Sequence, residues 1–116
     1  MANLMEHKEV SALLYRAIQH FGEEHQLKKL AEECSELSTA ILRLTNGCDG
    51  HTEAECNDAV LEEVVDVSIM IEQVFRILRD RKTSDGRDIF DIMIYKLTRL
   101  EQRIDAGKVH AETGTA

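Results

Sequence analysis

The sequence predicts an all-α fold, a four-helix-type bundle, and three observations carry that expectation. The 116-residue chain has no proline and only six glycines, too little turn chemistry for a sheet of many strands. Its apolar residues recur at steps of three and four, the period of a helix face. Short polar or glycine-bearing breaks divide that pattern into four stretches. With 43% hydrophobic and 31% charged residues, the length fits one globular, soluble domain.

The first helix is expected from about Leu4 to Phe21, with Val10, Leu13, Leu14, Ala17, Ile18 and Phe21 on one stripe and Gly22 as its stop. The second runs from about Glu24 to Leu44. Leu27, Leu30, Cys34, Leu37, Ile41 and Leu44 form its apolar stripe, which assigns Cys34 to the core. Thr45-Asn46-Gly47 ends it, and a loop continues to Gly50. The third helix starts either at the capping box Thr52-Glu53-Ala54-Glu55 or at Asn57-Asp58, and continues to about Arg79. After the turn Thr83-Ser84-Asp85-Gly86, a fourth runs from about Asp88 to Ala106, carrying Ile89, Met93, Leu97, Leu100 and Ile104 on one side. Gly107 suits its C-terminal cap, so residues 1–107 read as one domain and 108–116 as a short, polar, disordered tail. The third helix is apolar around most of its circumference, from Val60 to Leu78. Such a helix needs cover on more than one face, which three neighbours in a small domain supply poorly. A homodimer or homotetramer built on this helix is therefore expected.

Charge and cysteine content narrow the class further. Fourteen Lys and Arg against 22 Asp and Glu give a net charge of −8, which disfavours nucleic acid and anionic membrane as partners. No apolar run approaches the ~18 residues of a membrane span. Glu6, Lys8 and Glu9 stand where a signal peptide needs an apolar core. Three cysteines, an odd number, suit a reducing compartment, and the expected location is cytoplasmic. Cys48, His51 and Cys56 carry part of a zinc spacing, whose fourth ligand would have to be Cys34. No histidine completes an E-x-x-H, which argues against a ferritin-like di-iron bundle. No Gly-rich phosphate loop supports kinase or dehydrogenase chemistry.

Two acidic clusters stand out, Glu32-Glu33-Cys34-Ser35-Glu36 and Glu62-Glu63-Val64-Val65-Asp66. At about 100° per residue, Glu33 and Glu36 pair on one edge of the second helix's apolar stripe, while Glu32 points nearly opposite. Glu63 and Asp66 share a face that Met70, Val74 and Ile77 continue. Single Glu-Glu runs are usually solvated surface. Two acid pairs that each flank a buried stripe need compensation, either by approaching Lys and Arg or by a divalent cation between the helices. Mg²⁺ prefers such all-oxygen ligation.

Lys29-Leu30-Ala31-Glu32-Glu33-Cys34-Ser35-Glu36-Leu37, followed by Glu63-Val64-Val65-Asp66-Val67, resembles the MazG-like all-α nucleoside triphosphate pyrophosphohydrolases. Their signature is EExxE, then ExxD on the next helix; residues 37–62 separate the two here, and the resemblance covers roughly residues 20–105. It implies a helical fold that forms dimers or tetramers around a Mg²⁺ site. Glu33, Glu36, Glu63 and Asp66 would be the metal ligands, with Glu32 an additional acid that orients or activates water. The implied reaction is attack of metal-activated water on the α-phosphorus of a ribo- or deoxynucleoside triphosphate, releasing monophosphate and pyrophosphate.

Tyr95-Lys96-Leu97 with Arg99 and Arg103 resembles the family's downstream Lys-containing helix, which makes Lys96 the foremost phosphate-binding candidate. Gln26 and Lys29, one turn before the acids, are further candidates to line the pocket. Phe21 and Phe75 are the aromatics able to stack on a base, although core packing accounts for either more readily. Phosphoribosyl-ATP pyrophosphohydrolases share a related acidic pattern with an aromatic-His pair after ExxD; here Val67-Ser68-Ile69-Met70 follows. The rival from another class is a non-enzymatic, acidic, helical interaction module. It explains the charge and the oily third helix, but not why both acid pairs flank buried faces.

Overall fold

In the computed structural model, which describes the backbone of residues 8–112 and the side chains of residues 8–107, the chain is all-α. Its helices are α1 (Lys8–Phe21), α2 (Glu23–Thr45), α3 (Glu53–Leu78) and α4 (Ile89–Glu112), with no strand among the described residues. Residues 4–7 of the expected first helix and residues 113–116 of the expected tail lie outside the described residues. The chain divides between Ile77 and Leu78 into two compact units. The first contains α1, α2 and nearly all of α3; the second contains α4.

A single residue joins α1 to α2. Gly22 sits at φ 92°, where a Cβ is disfavoured, and its N–H still donates to Ile18 O at 2.8 Å while its carbonyl accepts from Gln26 N at 3.1 Å. The α2–α3 connection folds back tightly, with Gly47, Cys48, Asp49 and Gly50 all at positive φ. For Cys48, at φ 67°, that conformation is unfavourable. Burial of its side chain and donation of its N–H to Arg43 O at 2.8 Å hold it there. The two candidate starts of α3 are resolved in favour of Thr52. Its N–H donates to Glu55 Oε1 at 3.0 Å and its Oγ1 accepts from Glu55 N at 3.1 Å. A reciprocal pair between Asp88 and Asp91 opens α4 in the same way.

The connection places Cys48 beside Cys56, Glu36 beside Glu63, and Gln26 beside Gln73, so α2 and α3 run antiparallel. The buried seam of α2 is Gln26, Glu33 and Ala40, spaced by seven. This corrects the sequence expectation for Cys34, which is exposed, as is Ile41. The apolar stripe is only half-buried at Leu27, Leu30, Leu37 and Leu44. Burial follows the line facing α3, and that line lies to one side of the apolar one. On α3 the buried residues are Cys56, Met70, Gln73 and Val74. Leu61, Val64, Val65 and Ile69 lie on the opposite side and are exposed.

Arg76 ties α3 to α1. Its side chain is 8% exposed, donates through Nη1 to the Glu72 carbonyl at 2.7 Å and carboxylate at 3.2 Å, and through Nη2 to Ser11 Oγ at 3.2 Å. The guanidinium also lies 5.5 Å from the centre of the Tyr15 ring, a cation–π contact.

In the second unit, α4 runs past Gly107, the expected cap, to Glu112. Gly107 is not in the left-handed conformation that ends helices, so it costs some helix stability without stopping the helix.

Candidate metal centre

Glu33, Glu36 and Glu63 converge between α2 and α3, each offering a carboxylate oxygen within 4.8 Å of the others. Glu33 is buried, Glu63 half-buried and Glu36 exposed, so the group opens from the helix seam to solvent. The seven-residue seam of α2 places Glu33 in this position between Gln26 and Ala40. Sequence reasoning had it on the edge of the buried face; in the fold it lies at the centre.

The electrostatics are unbalanced. Lys29 Nζ, one turn earlier on α2, lies 3.3 Å from Glu33 Oε1 and 3.4 Å from Glu32 Oε2. Those two carboxylates raise the Lys29 pKa above the usual lysine range. The other oxygen of Glu33, Oε2, and Glu63 Oε2 are buried with no hydrogen-bond partner among the described residues. Burial, followed by the nearby charges of Glu36, Asp66 and Glu33, raises the Glu63 pKa above the ordinary glutamate value. Two orphaned carboxylate oxygens facing a third acid form an arrangement that a cation would relieve. The donor set is all oxygen, without His or Cys, which fits a hard divalent ion such as Mg²⁺.

The remaining candidates are distributed as follows. Asp66, one turn beyond Glu63, is exposed and close enough to act on Glu63 electrostatically, but it does not belong to the three-carboxylate group. The side chain of Glu32 is 66% exposed and held by Lys29. Gln26 is buried at 4% exposure, its Nε2 donating to Gln73 Oε1 at 2.7 Å and its Oε1 accepting from His25 Nδ1 at 2.8 Å. Its amide is thus engaged in joining α2 to α3. Lys96, Arg99 and Arg103 belong to α4. There Lys96 borders an apolar groove with Ile92, Met93, Leu97 and Leu100, and the Arg99 guanidinium lies 5.9 Å from the Tyr95 ring centre. Phe21 is exposed, stacked on His25 at 5.4 Å, and Phe75 is half-buried.

Cys48 and Cys56 are buried, with Cys56 Sγ donating toward Cys48 O at 3.9 Å. Burial, reinforced by the neighbouring Cys48 thiol, pushes the Cys56 pKa up to about 11. This keeps it a neutral packing group. Cys34 lies on the exposed side of α2.

Sequence reasoning passed over the cleft beside the acids. It measures about 230 Å³ and is bordered by Ser35, Glu36, Thr39 and Arg43 of α2 and by Ala59 and Glu63 of α3. A signal was present, since Ser35, Thr39 and Arg43 step by four along the flank of Glu36. Neither a family model, nor a curated protein, nor a solved structure matches the chain.

Proposed function

We propose that the protein is a MazG-like, Mg²⁺-dependent nucleoside triphosphate pyrophosphohydrolase that cleaves the α–β anhydride and releases a monophosphate and pyrophosphate. One observation carries this reading: Glu33 Oε2 and Glu63 Oε2 are buried without partners in a group of three carboxylates that opens to solvent. A purely structural acidic pair would be expected to find Lys or Arg, and Lys29 meets only the other oxygen of Glu33.

In this reading Glu33, Glu36 and Glu63 hold the cation, with Asp66 the next acid along α3. When bound, the ion supplies positive charge against the phosphates and lowers the pKa of water. Lys29 pairs with Glu33 Oε1 and fixes its orientation from the same helix. Glu32, exposed and paired with Lys29, is in this reading the acid that orients a water molecule from the solvent side. The Gln26–Gln73 amide pair holds α2 and α3 in the register that brings Glu33 opposite Glu63.

The exposed stripe Leu61, Val64, Val65 and Ile69 supports assembly through α3 as part of the same proposal, since a contiguous apolar helix face is costly in water.

Pyrophosphate release from a panel of ribo- and deoxynucleoside triphosphates, measured with Mg²⁺ and with EDTA, tests the proposal. Metal-dependent release of equal amounts of pyrophosphate and monophosphate is the expected result. Silence across the panel from folded protein would turn the reading toward a non-enzymatic module.

A further inference from the structure

The cleft next to the three carboxylates contains a cation that the fold does not use. Arg43 lines it, and its side chain makes no hydrogen bond or ion pair among the described residues, although the protein carries a net charge of −8. Glu36 and Glu63 border the same cleft, yet neither forms a salt bridge with it. The cleft Arg43 borders is closed on the other side by Ala59 and Glu63 of α3, and the charge of Arg43 reaches the Cys56 thiol in the first turn of that helix.

Arg43 follows Glu36 by two helical turns, about 10 Å along the axis. Ser35 and Thr39 border the cleft between them. The cleft thus has carboxylates at one end, hydroxyl-bearing residues along one wall and a free guanidinium at the other end. Its volume of about 230 Å³ is below the ~300–1,000 Å³ of pockets that enclose whole small molecules. No aromatic residue lines it, so it offers nothing on which a base could stack.

We propose that this cleft is the subsite for the pyrophosphoryl end of the substrate, with Arg43 binding the terminal phosphate. The inference rests on the reading of the acids as a cation site, because a polyanion approaches Glu36 and Glu63 only when a cation lies between them. A guanidinium fork matches two phosphate oxygens, and such charge-assisted pairs are stronger than neutral hydrogen bonds. The nucleoside then lies outside the cleft, and the phosphate chain alone is read inside it.

The test is calorimetric titration of the full chain with inorganic pyrophosphate in Mg²⁺, comparing wild type with Arg43→Gln and Arg43→Lys. Arg43 is exposed, and thermal melting checks that each variant folds. Arg43→Gln is expected to weaken pyrophosphate about 10- to 100-fold, and Arg43→Lys to fall between it and wild type. Binding of a nucleoside monophosphate is expected to change less than twofold. For the triphosphate hydrolysed best, KM is expected to rise with the same ranking while kcat changes less. Equal pyrophosphate affinity in wild type and Arg43→Gln overturns the subsite, as does wild type that binds Mn²⁺ but no pyrophosphate. Wild type that binds neither Mg²⁺ nor Mn²⁺ instead overturns the metal reading beneath it, so the two failures are distinguishable.

Discussion

Gln26 and Gln73 meet end to end in the seam between α2 and α3, Nε2 of the first donating to Oε1 of the second at 2.7 Å. Both are almost fully buried, at 4% and 3% exposure. The second amide's Nε2 is within reach of Ile69 O at 3.4 Å and Met70 Sδ at 3.6 Å. This polar contact lies among apolar neighbours two turns from Glu33 on α2 and nearly three turns from Glu63 on α3. It therefore sets the register of the acidic group.

Gln73→Ala should leave the Gln26 amide buried with a lost partner and lower stability by about 1–3 kcal/mol, read as a drop in the urea midpoint at constant m value. The double variant Gln26→Met/Gln73→Met should recover much of that loss, since no polar group is then stranded. Its activity separates two roles. Retained activity identifies the pair as a clamp; lost activity with Mg²⁺ binding unchanged indicates that Gln26 acts on substrate, as the sequence suggested, whereas loss of both indicates a displaced register.

Removing one charge from the acidic group should stabilise the metal-free protein. Glu63→Gln keeps the shape of the side chain and eliminates repulsion with Glu33, Glu36 and Asp66. The melting temperature in EDTA should therefore rise above that of wild type. Mg²⁺ should stabilise wild type, by about 2.7 kcal/mol at a hundredfold excess over Kd, and Glu63→Gln far less. If Mg²⁺ shifts both proteins equally, the ion binds elsewhere.

The pH dependence has a sign fixed by the same group. The pKa of Glu63 is raised above its ordinary value, chiefly by burial and then by Glu36. Its contribution to stability is fully present below the usual glutamate pKa and is lost as pH rises through the raised value. Asp85, whose pKa is lowered by hydrogen bonds from Thr83 and Arg87, acts in the opposite sense, losing its contribution as pH falls. The informative quantity is thus the difference in melting temperature between Glu63→Gln and wild type in EDTA. It should grow from pH 4 towards pH 8, and saturating Mg²⁺ should shrink or reverse it at the upper end.

Much of this arrangement was legible in the sequence, and the failures have physical causes. Helix periodicity and turn residues located α1 to α4 within a few residues at most described ends, because caps such as Thr52 with Glu55 are local chemistry. Glu33, Glu36 and Glu63 were identifiable because carboxylates beside a buried stripe need compensation. The phase of the buried seam was not legible. It passes through Gln26, Glu33 and Ala40 because a neighbouring helix selects that line, whereas the apolar moment points towards Cys34. Gly107 misled for a related reason: glycine permits a helix end without compelling one. Arg43 was overlooked because the value of an unpaired arginine becomes visible only once its neighbours on α3 are known.

The exposed face of α3 gives the last prediction. Leu61 and Val65, one turn apart, are 58% and 55% exposed, and Val64 and Ile69 flank them. This face lies opposite Met70 and Val74, so changes there do not enter the buried seam. If a second copy covers it, Val65→Glu should place a charge in an apolar interface and disfavour association by several kcal/mol. Light scattering at matched concentrations should then show an oligomer for wild type and a 13.2 kDa monomer for the variant. Val65→Ala should weaken association less, since it removes apolar area without burying charge. Helical content by circular dichroism should be retained in both. A monomeric wild type would overturn assembly through α3, and an oligomer indifferent to Val65→Glu would place the interface on another surface.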